Sequence, residues 1–257
     1  VTPIRSLHAV VDGDVHAQPV LILGPSLGTT TEAWNDLVPL LRETFAIVRF
    51  DLPGHGKSPV ADAPFILTDL ANAVIALADS LAIDTFDYAG VSVSGGVALE
   101  LAHHFPARLR STVVICSAAF LGGPDLWRDR IALIKKRGMD AQLNGLAERW
   151  FSPTTIATKP ALVDEFLDMV ASANPDGYAQ VCHAIGTFDA RPYLASITVP
   201  TLVISGELDT GTPPSAGKAI ADTVPVARQV VIADAAHQAA AEYPSKTATT
   251  LVEFLIK

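Results

Sequence analysis

Six short, apolar, β-rich runs recur along this chain, and they constrain its fold more than any other feature. They are PVLILG (19–24), AIVRFDLPG (46–54), TFDYAGV (85–91), RSTVVICSA (110–118), VPTLVISGELD (199–209) and ARQVVIADAAH (227–237). A strand with one wet face alternates apolar and polar residues, whereas near-continuous apolar strands need cover on both faces. Helical stretches supply that cover. LTDLANAVIALADSLAI (67–83) has apolar residues at helical spacing with Thr68 as candidate N-cap, and a second helix runs from 95 to about 105, where Pro106 stops it. This alternation predicts an α/β fold with a mostly parallel central sheet and helices on both faces.

The rhythm breaks after Ala119. Residues 122–190 carry helical patterns and turn signals but no convincing strand, and then strands resume. The expected organisation is a core of residues 1–121 and 191–257, with a helical cap of residues 122–190 inserted between its halves. A chain of 257 residues suits that plan. Ligands of open α/β sheets bind at the carboxyl ends of the strands, so the cap is expected to cover the site.

Composition narrows the function. With 49% hydrophobic and 18% charged residues the chain is globular, not disordered. A formal charge of −9 without a basic block argues against nucleic acid as partner. The cationic triplet at 135–137 reads as a solvated helix face. Cys116 and Cys182 lie far apart in apolar segments, as buried thiols of a reducing compartment do. No signal-peptide-like segment and no membrane-spanning run is present, so a cytoplasmic protein without membrane contact is expected. There is no metal-ligand cluster, phosphate-binding loop or dinucleotide fingerprint, so no metal and no cofactor are expected. A monomer or small homo-oligomer acting on a small molecule fits these limits.

One stretch carries chemistry. In YAGVSVSGGVALELA (88–102) a strand runs into a helix through a tight Gly/Ser turn, the setting of a nucleophile elbow, Gly-x-Ser-x-Gly. Ser92 lacks the last glycine of that pattern and Ser94 lacks the first, so both serines remain candidates. A serine nucleophile needs a base and a group to orient it. In this fold the order is serine, acid, histidine, each just after a strand. Of seven histidines only His237 follows a late strand. His55 precedes both serines and reads as a turn residue, and His103 and His104 read as helix-surface residues. Asp209 closes a strong strand and is the expected acid, with Glu207 as its rival and Asp189 and Asp234 behind. An oxyanion hole needs two backbone N–H groups. The residue after the nucleophile gives one, Val93. LILGPSLGTT (21–30) gives the other, from Ser26 or alternatively Leu27.

With these pieces in order, the chain resembles the α/β-hydrolase superfamily and, within it, the 3-oxoadipate enol-lactonases. The similarity covers nearly the whole chain. It is carried by GPSLGTTTEAW (24–34), FDLPGHGKS (50–58), YAGVSVSGG (88–96), GGPDLWRDRI (122–131), ERWFSP (148–153), VPTLVISGELDTGTPP (199–214) and AAHQAAAEYP (235–244). The resemblance places the nucleophile on Ser92, the acid on Asp209 and the base on His237. Two departures stand out: Ser94 where the family's elbow usually has glycine, and Gly24-Pro25 where most superfamily members have His-Gly. In the Ser92 register Gly90 sits two residues before the nucleophile and Gly95 opens the helix. Ser94 is then a small substitute whose hydroxyl is free to bond beneath the elbow.

The resemblance implies hydrolysis of a carboxylated enol-lactone in aromatic catabolism, through an acyl-enzyme. Arg130 of the cap is the candidate partner for the substrate carboxylate, with a surface ion pair as the alternative. Trp127, Trp150 and His183 are candidate pocket residues. The rival functions are a general esterase or lactonase of the same fold and a non-catalytic binding protein on it.

Overall fold

The computed structural model describes residues 3–256. Seven strands form one sheet: β1 (Ala9–Asp12), β2 (Val20–Gly24), β3 (Ala46–Phe50), β4 (Phe86–Val91), β5 (Leu109–Ile115), β6 (Thr201–Gly206) and β7 (Ala227–Ile232). Their spatial order is β1-β3-β2-β4-β5-β6-β7, and only β1 runs antiparallel, against β3. All six predicted runs are strands. The antiparallel edge strand AVVD was not anticipated; it is too short, and too exposed on its free edge, to leave an apolar run.

Strands β2, β3 and β4 are buried at every position, the burial their sequences foretold. Two apolar layers cover the sheet. One includes α2 (Leu67–Ser80) and α3 (Val93–His104); the other includes α1 (Val38–Leu41) and α12 (Pro244–Leu255). Helix α2 is capped differently from expectation. Ile66 occupies the N-cap, with its N–H donating to Asp69 Oδ2 at 3.0 Å. Thr68 lies inside the helix, and its hydroxyl donates to Glu100 Oε2 at 2.6 Å. Helix α3 starts at Val93 rather than at Gly95, because the chain turns within the single residue Ser92.

Between β5 and β6 lie six helices: α4 (Gly123–Arg137), α5 (Asp140–Leu143), α6 (Leu146–Trp150), α7 (Pro153–Thr158), α8 (Pro160–Ser172) and α9 (Pro175–Gly186). A lone bridge between Phe120 and Asp189 joins the two ends of this helical excursion. The remaining helices are α10 (Pro214–Thr223) and α11 (Ala239–Glu242). Both cysteines are free and buried, and no helix among the described residues is long and apolar enough to cross a membrane.

The turn after β3 fastens this excursion to the sheet. The Asn174 N–H, just before α9, donates to Gly54 O at 3.1 Å, and the buried His55 ring stacks on Tyr178 of α9 at 5.9 Å. His55 Nδ1 lies 3.0 Å from Pro53 O. Burial lowers the His55 imidazole to about 4, against the smaller opposing effects of the Pro53 carbonyl and the Asp51 charge. In the unfolded chain the ring titrates near its ordinary value of about 6.5. The unfolded state therefore takes up the proton first, and His55 costs stability as pH falls from about 6.5 toward 4. Urea denaturation at about pH 7 and about pH 4.5 checks this. The His55→Gln variant is expected to lose about 2–3 kcal/mol less than the parent between those conditions. Equal losses would contradict the buried neutral imidazole.

Candidate active site

Strand β4 ends at Val91 and α3 begins at Val93, so Ser92 alone makes the turn, at φ 57° and ψ −114°. Non-glycine residues seldom take positive φ, and such strain persists only where the surroundings impose it. Here they do. The Ser92 N–H donates to Ile115 O at 2.9 Å, and the Ser117 hydroxyl donates to Ser92 O at 2.7 Å. Close packing explains the neighbouring glycines. A Cβ on Gly90 would overlap the Ser94 carbonyl, and one on Gly95 would come within 2.5 Å of Ser117 Cβ. The elbow is thus built around Ser92. Ser94 is fully buried beneath it, with its hydroxyl donating to Pro25 O at 2.6 Å.

The expected partners converge at the same edge of the sheet. Asp209 follows β6 and is 2% exposed; His237 follows β7 and is 8% exposed. His237 Nδ1 lies 2.8 Å from Asp209 Oδ2. With Nδ1–H donating to the carboxylate, Nε2 keeps its lone pair for a proton from a hydroxyl. Asp209 is itself held. Its Oδ1 accepts the N–H groups of Gly211 and Thr212, both at 2.9 Å, and its Oδ2 accepts the Thr212 hydroxyl at 2.7 Å. Burial pushes the Asp209 carboxyl up, but the His237 bond and charge together with the Thr212 donors outweigh it and hold the group below the usual carboxylate range. Glu207, the rival, is exposed and accepts the Asp234 N–H instead. Asp189 pairs with Arg191, and Asp234 accepts the Tyr243 hydroxyl.

Ser92, His237, Ser26 and Leu27 line one cavity of about 400 Å³. The helical excursion supplies its far wall with Trp127, Arg130, Gln142, Arg149, Trp150 and Tyr178. Arg130 lies over the Trp127 ring at 4.7 Å. Arg149 donates to Asn144 O at 3.0 Å. Burial lowers the Arg149 guanidinium, and the like charge of Arg130 lowers it further. Among the described residues no carboxylate is ion-paired with either arginine. Gln142 Nε2, buried in the same wall, has no hydrogen-bond partner. Two neighbouring cations and an idle amide donor make this wall receptive to an anion. A wider open cleft of about 800 Å³ lies elsewhere, lined by His8, Arg49, Asp51 and Lys57 among others, and includes none of Ser92, Asp209 and His237.

The structure thus brings Ser92, Asp209, His237, Ser26, Leu27, Trp127, Arg130 and Trp150 together, with Val93 as the first residue of α3. His183 is corrected: it is exposed on α9 and does not line the cavity, because Tyr178 and Cys182 take the inward positions. His55 reaches the site only through Tyr178. Sequence reading missed Thr212, Gln238, Glu242, Gln142 and Arg149. Glu242 is fully buried and accepts the N–H of Ala236 and that of Ser152, both at 2.7 Å, so it ties the His237 loop to the segment after α6. A lone acidic residue beside the alanine run in AAAEYP was the signal the sequence offered for it.

Comparison with known proteins agrees with this fold. The family model for the alpha/beta hydrolase fold matches residues 19–243. The chain is 31% identical over 227 residues to 3-oxoadipate enol-lactonase 2 of Acinetobacter baylyi, covering 88% of this chain and 85% of that protein. It is 28% identical over 243 residues to a pimeloyl-[acyl-carrier protein] methyl ester esterase of Edwardsiella ictaluri, covering 91% and 92%. Among solved structures, the enol-lactonase of Burkholderia xenovorans LB400 superposes with a TM-score of 0.94 at 32% identity, covering 98% of this chain and 96% of that one.

A serine-directed fluorophosphonate tests the elbow. It is expected to label Ser92 alone, and Asp209→Asn is expected to slow labelling by about 10³–10⁴-fold through loss of the correct histidine tautomer. Peptide mapping that finds the label on Ser94 would reverse the register.

Proposed function

The chain belongs to the alpha/beta hydrolase fold family, and from that footing we propose that it opens 3-oxoadipate enol-lactone to 3-oxoadipate through an acyl-enzyme on Ser92. The observation that carries this reading is the cavity. Ser92 and His237 line it, with the buried Asp209 behind His237, and so do two guanidinium groups, Arg130 and Arg149, that among the described residues pair with no carboxylate.

In the proposed mechanism His237 Nε2 takes the Ser92 hydroxyl proton while Oγ attacks the lactone carbonyl. Asp209 holds the ring and stabilises the imidazolium. The N–H groups of Val93 and of Ser26, or Leu27 in its place, bind the developing oxyanion. Collapse of the tetrahedral intermediate breaks the ring C–O bond. The enol oxygen leaves, takes the proton from His237, and the enol becomes a ketone. Both products of ring opening stay on one chain, so nothing departs until water, deprotonated by His237, attacks the ester and restores Ser92. Arg130, with Arg149 and Gln142 beside it, holds the carboxylate that the lactone already carries. Trp127 and Trp150 wall its ring.

A second reading, an esterase for other small carboxylated acyl groups, is supported by the cavity's outer lining. Phe120 and Leu126 are 40% and 56% exposed there and offer apolar room beyond a small lactone. Esterases are also among the relatives.

A spectrophotometric assay on 3-oxoadipate enol-lactone, formed in situ from muconolactone, separates the two. Turnover well above that on simple aryl esters is expected, and Arg130→Gln is expected to raise KM by about 10-fold or more with a smaller change in kcat. No turnover of the lactone at micromolar enzyme, alongside ester hydrolysis, would favour the esterase.

A further inference from the structure

The loop after β2, residues 25–29, is gripped from two sides by buried side chains. From the elbow, Ser94 Oγ donates to Pro25 O at 2.6 Å. From the base loop, Gln238 Nε2 donates to Ser26 Oγ at 2.9 Å, and Ser26 Oγ lies 3.2 Å from Thr29 Oγ1. Ser94, Gln238 and Ser26 are 0%, 3% and 2% exposed, so water does not compete for these bonds. The fit around Ser94 is specific. A Cβ on Gly24 would come within 2.7 Å of Ser94 Cβ and 2.8 Å of Ser94 Oγ, so the missing side chain at 24 is what admits the hydroxyl at 94. Gln238 is fixed in turn, since its N–H donates to Trp150 O at 3.0 Å.

We propose that Ser94 and Gln238 are positioning residues for the oxyanion site, clamping the loop whose Ser26 and Leu27 line the cavity together with Ser92. The inference rests on the hydrolase reading above. A hydrogen-bond donor stabilises an oxyanion only if it is already aimed where the charge develops. Within the loop the Thr29 N–H and hydroxyl donate to Ser26 O at 3.1 and 3.0 Å, which closes a turn, and the Ser94 and Gln238 bonds fix that turn against the rest of the site. One contact comes from the segment that carries Ser92 and the other from the residue after His237. The two bonds therefore set the loop against both reacting groups at once. Elbow, base loop and oxyanion loop are held as one unit.

The test compares Ser94→Ala and Gln238→Met, each removing a donor with little change of shape, for hydrolysis and for inhibition by a trifluoromethyl ketone that forms a tetrahedral adduct on serine. Each variant is expected to lose about 10-fold in kcat, the effect of one buried hydrogen bond, with KM within about twofold. The inhibition constant for the ketone should rise by about the same factor as kcat falls. A residue that merely supports folding would lower the melting temperature and leave kcat per folded molecule and ketone affinity unchanged. That outcome, or a change confined to KM, overturns the clamp. Should Ser94→Ala not fold, Gln238→Met alone decides by the same criteria. A parent protein that neither hydrolyses esters nor binds the ketone would instead overturn the hydrolase reading on which the clamp stands.

Discussion

A serine held at positive φ is the constraint on which the rest of this structure depends. Non-glycine residues seldom adopt that conformation, and the contacts around the elbow hold it. Gly90 and Gly95 remove side chains where backbone and Ser117 must pack. The Ser117 hydroxyl fixes the Ser92 carbonyl, and β5 takes the Ser92 N–H. The result is a hydroxyl lifted off the sheet edge into a cavity, at the start of a helix whose first N–H groups point the same way.

The neighbouring strands then deliver the other groups by order alone. In the sequence β2-β4-β5-β6-β7 the loop of Ser26 and Leu27, Ser92, Asp209 and His237 all follow carboxyl ends. Parallel pairing guarantees that these ends share one side. Local bonds refine what topology supplies. Thr212 and the Gly211 amide hold Asp209, Glu242 anchors the His237 loop to the helical excursion, and Gln238 joins that loop to Ser26. The helical excursion is fastened at His55, Asn174 and Trp150, and it carries Arg130 and Arg149 to the cavity that Ser92 lines.

How much of this could be read in advance follows from the range of each interaction. The buried parallel strands were legible because covering both faces forces consecutive apolar residues. The positions of Asp209 and His237 after β6 and β7 were legible because strand ends are local features. The serine register was ambiguous from the five residues alone, since what forbids a side chain at Gly90 and Gly95 is contact with residues up to 22 positions away. Gln238 and Ser26, separated by 212 positions, share a bond that no local pattern signals. His183 misled for a geometric reason. It lies five residues beyond Tyr178, about 140° around the helix, so the face that lines the cavity excludes it. Arg149 and Gln142 come from separate short helices, and only the folded excursion brings their side chains to one wall with Arg130.

A lactone differs from an ester in one measurable way. Ring opening retains every atom of the substrate on the enzyme, whereas an ester sheds its alcohol at the same step. Intact-mass spectrometry after rapid acid quench of the protein with 3-oxoadipate enol-lactone therefore shows whether Ser92 carries the acyl group. The predicted result is an adduct on the Ser92 peptide whose mass gain equals that of the whole lactone. Turnover without any adduct on Ser92, or with the adduct mapped to Ser94, would contradict it.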